Sequence, residues 1–182
     1  MFPVLFVVLL ATQGEGQFLN EVDESDKCIW QVYDCYKELN PIYNAIQSFN
    51  LEPLSKGRLL MDICRQLPLA IQCQNAYKCE VSPTSQRYIE SSTELYKFIC
   101  SERAIVKMEK RCWKNSDYKK GLKQCTTEFK LRSQNEVCTD MSQLKSCLSQ
   151  KIEAIEDCSI LADIFLDYLL DKIATHFIGN VC

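Results

Sequence analysis

Apolar residues recur along this 182-residue chain at the three- and four-residue steps of an α-helix. Cys28, Val32, Cys35, Leu39, Ile42, Ile46 and Phe49 form one such stripe. Pro41 falls in its middle, removing a backbone donor and disfavouring helix at Asn40. Because the stripe keeps its phase across Pro41, the pattern predicts a kinked helix rather than a broken one. Ser55 caps a second predicted helix, which carries Leu60, Cys64, Leu67 and Ile71 and kinks at Pro68. Ser82-Pro83 is a strong start signal, since a Ser cap satisfies one orphan amide and Pro at the first helical position dispenses with another. The helix it opens is predicted to run to about Arg111, with Tyr88, Leu95, Phe98, Ile99, Ile105 and Val106 buried. Ser116-Asp117 starts a helix through about Leu131, and Thr139-Asp140 starts one carrying Leu144, Cys147, Leu148, Ile152 and Ile155. Neither Gly nor Pro lies between Gly121 and Gly179, so the polar breaks at Ser133-Gln134-Asn135 and Asp157-Cys158-Ser159 are the most weakly marked boundaries. A final helix is expected to bury Leu161, Ile164, Phe165, Tyr168, Leu169 and Ile173, with Gly179 ending it.

The chain begins differently. Phe2 to Ala11 is an unbroken apolar run, too short for a bilayer helix, and the small residues that follow suit cleavage after Gly14 or Gly16. Residues 1–16 are therefore expected to be a secretory signal, followed by an acidic segment, 17–27, and a single cysteine-rich domain, 28–182. Toward the other end, Asp163, Asp167, Asp171, Lys172 and His176 interrupt the apolar positions, which suits an amphipathic helix and not a membrane anchor.

Composition narrows the fold class. Beyond residue 16 there are three Gly (Gly57, Gly121, Gly179) and four Pro (Pro41, Pro53, Pro68, Pro83), too few for the turns of a β-sandwich or a knottin-like scaffold. With 47% apolar residues the chain is neither disordered nor collagenous. All twelve cysteines also lie beyond the leader. The expected fold is all-α: a compact, disulfide-stapled bundle of about five to seven helices, some kinked.

Staples, metal ligands and reactive thiols are the three readings of those cysteines. Structural zinc and redox thiols both favour C-x-x-C pairs, whereas the closest pair here is Cys73 and Cys79. A catalytic thiol needs a base, and His176 is the sole histidine. An even set of cysteines behind a leader implies an oxidising compartment, so six bridges are expected among Cys28, Cys35, Cys64, Cys73, Cys79, Cys100, Cys112, Cys125, Cys138, Cys147, Cys158 and Cys182. Their connectivity is open. Cys28 and Cys35, seven residues apart on one helical face, cannot pair with each other without unwinding it and should reach different partners. No metal or other cofactor is expected.

The order of these residues also resembles a known family. The Cys28–Cys35 spacing, Asp62-Ile63-Cys64, the pair Cys73 and Cys79, Phe98-Ile99-Cys100, Arg111-Cys112-Trp113 and a cysteine-rich second half resemble the nematode family of secreted cysteine-rich proteins catalogued as domain of unknown function nineteen. The resemblance covers about Cys28 to Cys182 and lies in cysteine order. It implies an extracellular helical domain and carries no established activity or catalytic residues.

Charge adds one candidate site. Residues 103–132 hold ten Lys or Arg against three acidic residues, a local balance of +7 in a chain whose net charge is −3. Lys107, Lys110, Arg111, Lys114, Lys119, Lys120 and Lys123 are the candidate patch for an acidic glycan or anionic head group. The competing reading is that they complement acidic helices within the fold. No aromatic residues interleave as a nucleic-acid platform requires, so no nucleic acid is expected. His176, near the end of the last predicted helix, reads as a capping or partly buried side chain. The carboxylate pairs Glu153/Glu156 and Asp163/Asp167 read as solvated charge rather than a glycosidase dyad. No enzyme is expected. The leading function is a non-enzymatic extracellular interaction module with a protein partner; the alternative is a carrier of small hydrophobic ligands such as lipids.

Overall fold

The computed structural model describes residues 27–77, 83–128 and 137–175, and every regular element among them is helical. In chain order these are α1 (Lys27–Cys35), a 3₁₀ turn (Lys37–Leu39), α2 (Asn40–Gln47), α3 (Leu59–Ala76), α4 (Pro83–Ser101), α5 (Arg103–Met108), α6 (Lys110–Lys114), α7 (Ser116–Glu128), α8 (Val137–Glu153) and α9 (Ile160–Ile173). The fold is all-α and disulfide-stapled, as the periodicity predicts. The described residues form nine α-helices rather than five to seven, because two of the expected helices are divided.

The first division lies upstream of Pro41, where the stripe breaks instead of kinking. A proline ring opposes the carbonyl four residues before it, here Lys37, and the chain answers by tightening Lys37–Leu39 into a 3₁₀ turn. Pro41 then stands in the first turn of α2, where the amide it lacks has no ladder partner to lose. The second division corrects the long helix expected to reach Arg111. It ends at Ser101, and Glu102 and Glu109 take ψ of 14° and 21°, separating α4, α5 and α6. Neither residue is Gly or Pro, and tertiary bonds account for the second break. The Trp113 indole N–H reaches back to donate to the Val106 carbonyl at 2.9 Å, while the Glu109 carboxylate accepts from both the backbone N–H and the hydroxyl of Ser159.

Helix starts also depart from expectation. Ser55 does not cap α3; its hydroxyl donates to the Glu52 carbonyl at 2.7 Å, and Gly57, at φ +55°, takes the left-handed step that leads the chain to α3. α3 continues through Pro68. The cap of α7 is Asn115, whose Oδ1 accepts from the Asp117 N–H at 2.7 Å, and α8 begins at Val137, two residues before Thr139. The polar break at Asp157-Cys158-Ser159 falls where predicted, with the Ser159 side chain accepting from the Leu161 N–H as the cap of α9. The leader, the break at Ser133–Asn135, His176 and Gly179 lie outside the described residues, as does the side chain of Tyr88.

Two stapled halves meet in one core. In the first, Cys35–Cys73 ties α1 to the end of α3 and Cys64–Cys100 ties the early part of α3 to the end of α4. Tyr36 joins the same helices farther along, its hydroxyl contacting Gln74 and, at 2.9 Å, Thr93, so α3 and α4 run antiparallel. In the second half, Cys125–Cys147 ties α7 to α8 and Cys112–Cys158 ties α6 to the turn before α9. α9 returns against α8 and also touches α4 and α5. Phe165 of α9 stacks on Phe98 of α4 with ring centroids 5.5 Å apart, and the Tyr118 hydroxyl of α7 donates to the Phe49 carbonyl at 3.0 Å. Leu39, Leu60, Ile99, Trp113, Phe165 and Leu169 all belong to the single buried cluster that results.

The last helix corrects the expected buried face. Phe165, Leu169 and Ile173 are buried, joined by Ala162, Leu166 and Leu170, but Leu161, Ile164 and Tyr168 are exposed. α9 is apolar nearly all round, and its orientation is set by α4, α5 and α8. No helix among the described residues is long and apolar enough to cross a membrane.

Candidate functional site

The structure places the predicted basic patch on three successive helices. Lys107 lies on α5, Lys110, Arg111 and Lys114 on α6, and Lys119, Lys120 and Lys123 on α7. Two of the seven are internally paired: Lys119 Nζ meets Glu52 at 2.5 Å across the two halves, and Lys120 Nζ meets Asp117 at 3.0 Å. Among the described residues no ion pair holds Lys110, Arg111, Lys114 or Lys123, and all four are exposed. Lys119 therefore ties α7 to the loop before α3, whereas the Lys120–Asp117 pair is exposed on α7 itself.

Glu52 shows what that pairing does. Hydrogen bonds from Lys119 and then from Lys56, at 2.9 Å, hold its carboxyl down to about 2. A depressed folded value means the interaction contributes fully above the ordinary carboxylate range and is lost as pH falls toward 2. In a side-chain carboxyl NMR titration Glu52 is expected to show a midpoint of about 2, and Lys119→Met to raise it toward the ordinary glutamate value. An unchanged midpoint in that variant would remove Lys119 as the cause.

Surface clefts between neighbouring helices are lined with polar groups. One, of about 480 Å³, lies between α7 and the end of α8, where Lys120 and Lys151 face Asp117, Glu156 and Asp157. Its floor is fixed by the close approach of Gly121 to Lys151, since a Cβ on Gly121 would lie 3.0 Å from that of Lys151. Another, of about 300 Å³, lies between α8 and α9 around Lys145, which bridges Asp167 at 3.0 Å and Asp171 at 2.5 Å. Burial lowers the Lys145 pKa, but the two carboxylates outweigh it and the net shift is upward. Lys145 is thus a fixed cation.

Glu153 and Glu156 are both exposed, and Asp167 is paired with Lys145 in the cleft that Asp163 also lines. No cluster of His, Cys, Asp and Glu able to hold a metal occurs among the described residues, and eight described cysteines are paired in four bridges. Cys35 pairs with Cys73, which places one of the two stripe cysteines on another helix as expected. Cys79, Cys182 and the side chains of Cys28 and Cys138 lie outside the described residues.

The surface feature that periodicity did not find is apolar. Ile160, Ile164 and Tyr168, at four-residue steps on α9, are 74, 41 and 57% exposed, and Met108 on α5 is 62% exposed. Asp163, Asp167 and Asp171 mark the solvent side of α9 in the sequence, but apolar residues flank that line on both sides. Which flank is core depends on neighbouring helices. No family model, curated protein or solved structure matches the chain.

Proposed function

We propose that this chain is a secreted, non-enzymatic interaction module of the nematode cysteine-rich family its cysteine order resembles. The observation that carries the reading is the exposed apolar line on α9, displayed on a helix whose cap is clamped by Glu109 and whose leading turn is stapled by Cys112–Cys158. Residues kept rigid and apolar at the surface suit binding, since a large exposed apolar patch costs solubility unless something covers it. Four disulfides support an extracellular setting.

Native mass spectrometry of protein purified from its own secretion tests this. The expected result is a chain associated with protein, its own kind or foreign, and without stoichiometric lipid. A bound lipid retained in one-to-one ratio would overturn the module in favour of a carrier of small apolar ligands.

A further inference from the structure

From Arg103 to Lys114 the chain keeps its helical turn across the junction of α5 and α6. The Glu109 N–H donates to the Ile105 carbonyl at 2.9 Å, and the Trp113 N–H to the Glu109 carbonyl at 3.1 Å. At about 100° per residue, Arg103, Lys107, Lys110, Arg111 and Lys114 fall within about 100° of arc. Burial agrees with that phase: Val106, Glu109, Cys112 and Trp113, on the other side, are all buried. Arg103, Lys110, Arg111 and Lys114 are exposed, and Lys107 is half-buried. Four of the candidate basic residues thus share one helix face, joined by Arg103.

This charge is not neutralised from within the described residues. Glu109, the single acidic residue between Arg103 and Lys114, is buried on the opposite side and bonded to Ser159. No ion pair among the described residues holds any of the five cations. The face is also fixed in place. Arg103 donates to the Cys100 carbonyl at 2.8 Å, Cys112 is bridged to Cys158, and Trp113 packs against Tyr118 and Phe165. Like charges one turn apart on a helix repel, and a polyanion relieves that repulsion without reordering the face.

The composition of the arc selects among polyanions. A helix face that grips an anionic bilayer sets apolar side chains beside its basic ones. This arc holds none, and the exposed Met108 lies beyond its edge. Single strands of nucleic acid are held by stacking aromatics, and Trp113, the one aromatic of the segment, is fully buried. Sulfate groups on a hydrated sugar chain are permanent anions and require only spaced cations. At 1.5 Å per residue the row from Arg103 to Lys114 is about 17 Å long, enough to follow several successive sugars. We infer that this face of α5 and α6 binds an extracellular sulfated polysaccharide, its five cations pairing with successive sulfates. The inference uses the extracellular setting of the proposed module and does not depend on the apolar line of α9.

Isothermal titration calorimetry of the full secreted chain with a heparin decasaccharide tests it. Binding is expected in the micromolar range, with the logarithm of affinity falling linearly with the logarithm of salt concentration. Lys110→Gln with Lys114→Gln should weaken binding by at least about tenfold. Lys37→Gln with Arg65→Gln removes the same charge from other exposed sites and should weaken it by less than about twofold. Circular dichroism confirms that each variant is folded. A chain that does not bind the decasaccharide at low salt overturns the inference, as does binding that Lys110→Gln with Lys114→Gln leaves unchanged or that both pairs of substitutions weaken alike. Equal affinity for a hyaluronan decasaccharide, which carries carboxylates and no sulfate, overturns it too. Pelleting with phosphatidylserine–phosphatidylcholine vesicles by a chain indifferent to heparin would assign the face to a lipid head group instead. Native mass spectra read protein association separately, so failure of the glycan site and failure of the module are distinguishable.

Discussion

Replacing Trp113 with alanine is expected to lower the free energy of unfolding by about 3–5 kcal/mol, the usual range for a large aromatic lost from a core. Trp113 is fully buried, and its ring meets Tyr118 of α7 edge-on at 5.4 Å and Phe165 of α9 at 6.0 Å. Its indole N–H satisfies the Val106 carbonyl of α5. One side chain on the short helix α6 therefore fills the space where three other helices converge. Phe165 in turn stacks on Phe98, so the cavity would open beside the contact between the two halves. The surrounding helices are tied by bridges that resist collapse into that cavity, which places the cost toward the upper end. Guanidinium unfolding followed by far-ultraviolet circular dichroism measures it; a loss below about 1 kcal/mol would show that the site repacks freely. Trp113→Phe should cost less, because most of the ring volume remains, although the Val106 carbonyl loses its donor.

Removing the Cys112–Cys158 bridge by alanine at both positions should cost about 4 kcal/mol on the chain-entropy account, given a separation of 46 residues. This junction is held twice. Glu109, one turn before Cys112, grips Ser159, the residue after Cys158, through the backbone N–H and the hydroxyl. Glu109→Gln weakens both bonds in a buried place and leaves the staple to hold the geometry, so alone it should cost about 1–3 kcal/mol. Combined with the loss of the bridge, its cost should differ from the sum of the two, because both act on one junction. Thermal and denaturant midpoints of the two variants and their combination measure the coupling, and strict additivity would show that the carboxylate and the bridge act independently.

Helical class and most helix positions were legible because a 3.6-residue period in apolar residues reports directly on a buried face. Val32, Leu39, Ile42 and Ile46 are buried as their spacing predicts, even though the helix carrying them is divided. The divisions at Glu102 and Glu109 were not legible. Both residues are good helix formers, and at Glu109 the bond that accompanies the break comes from Ser159, fifty residues on. Asn115, the cap of α7, is hidden in the sequence by Ser116-Asp117 beside it, which carries the same signal. The candidate site was less legible still. The seven basic residues stood out by count, but count cannot show that Lys119 reaches Glu52 in a distant loop. Ile164 and Tyr168 looked like core because hydrophobicity reports affinity for an apolar neighbour and not whether the neighbour is present.

All four described bridges respect the division into halves: Cys35–Cys73 and Cys64–Cys100 on one side, Cys112–Cys158 and Cys125–Cys147 on the other. A chain that emerges N-terminus first presents the six cysteines through Cys100 before Cys112 exists to compete for them. Six thiols can pair in fifteen ways, and twelve in 10,395. Order of synthesis thus reduces the combinatorial burden on oxidative folding for the first half. The same order predicts that a fully reduced, full-length chain refolded all at once meets a scrambling problem that the nascent chain avoids.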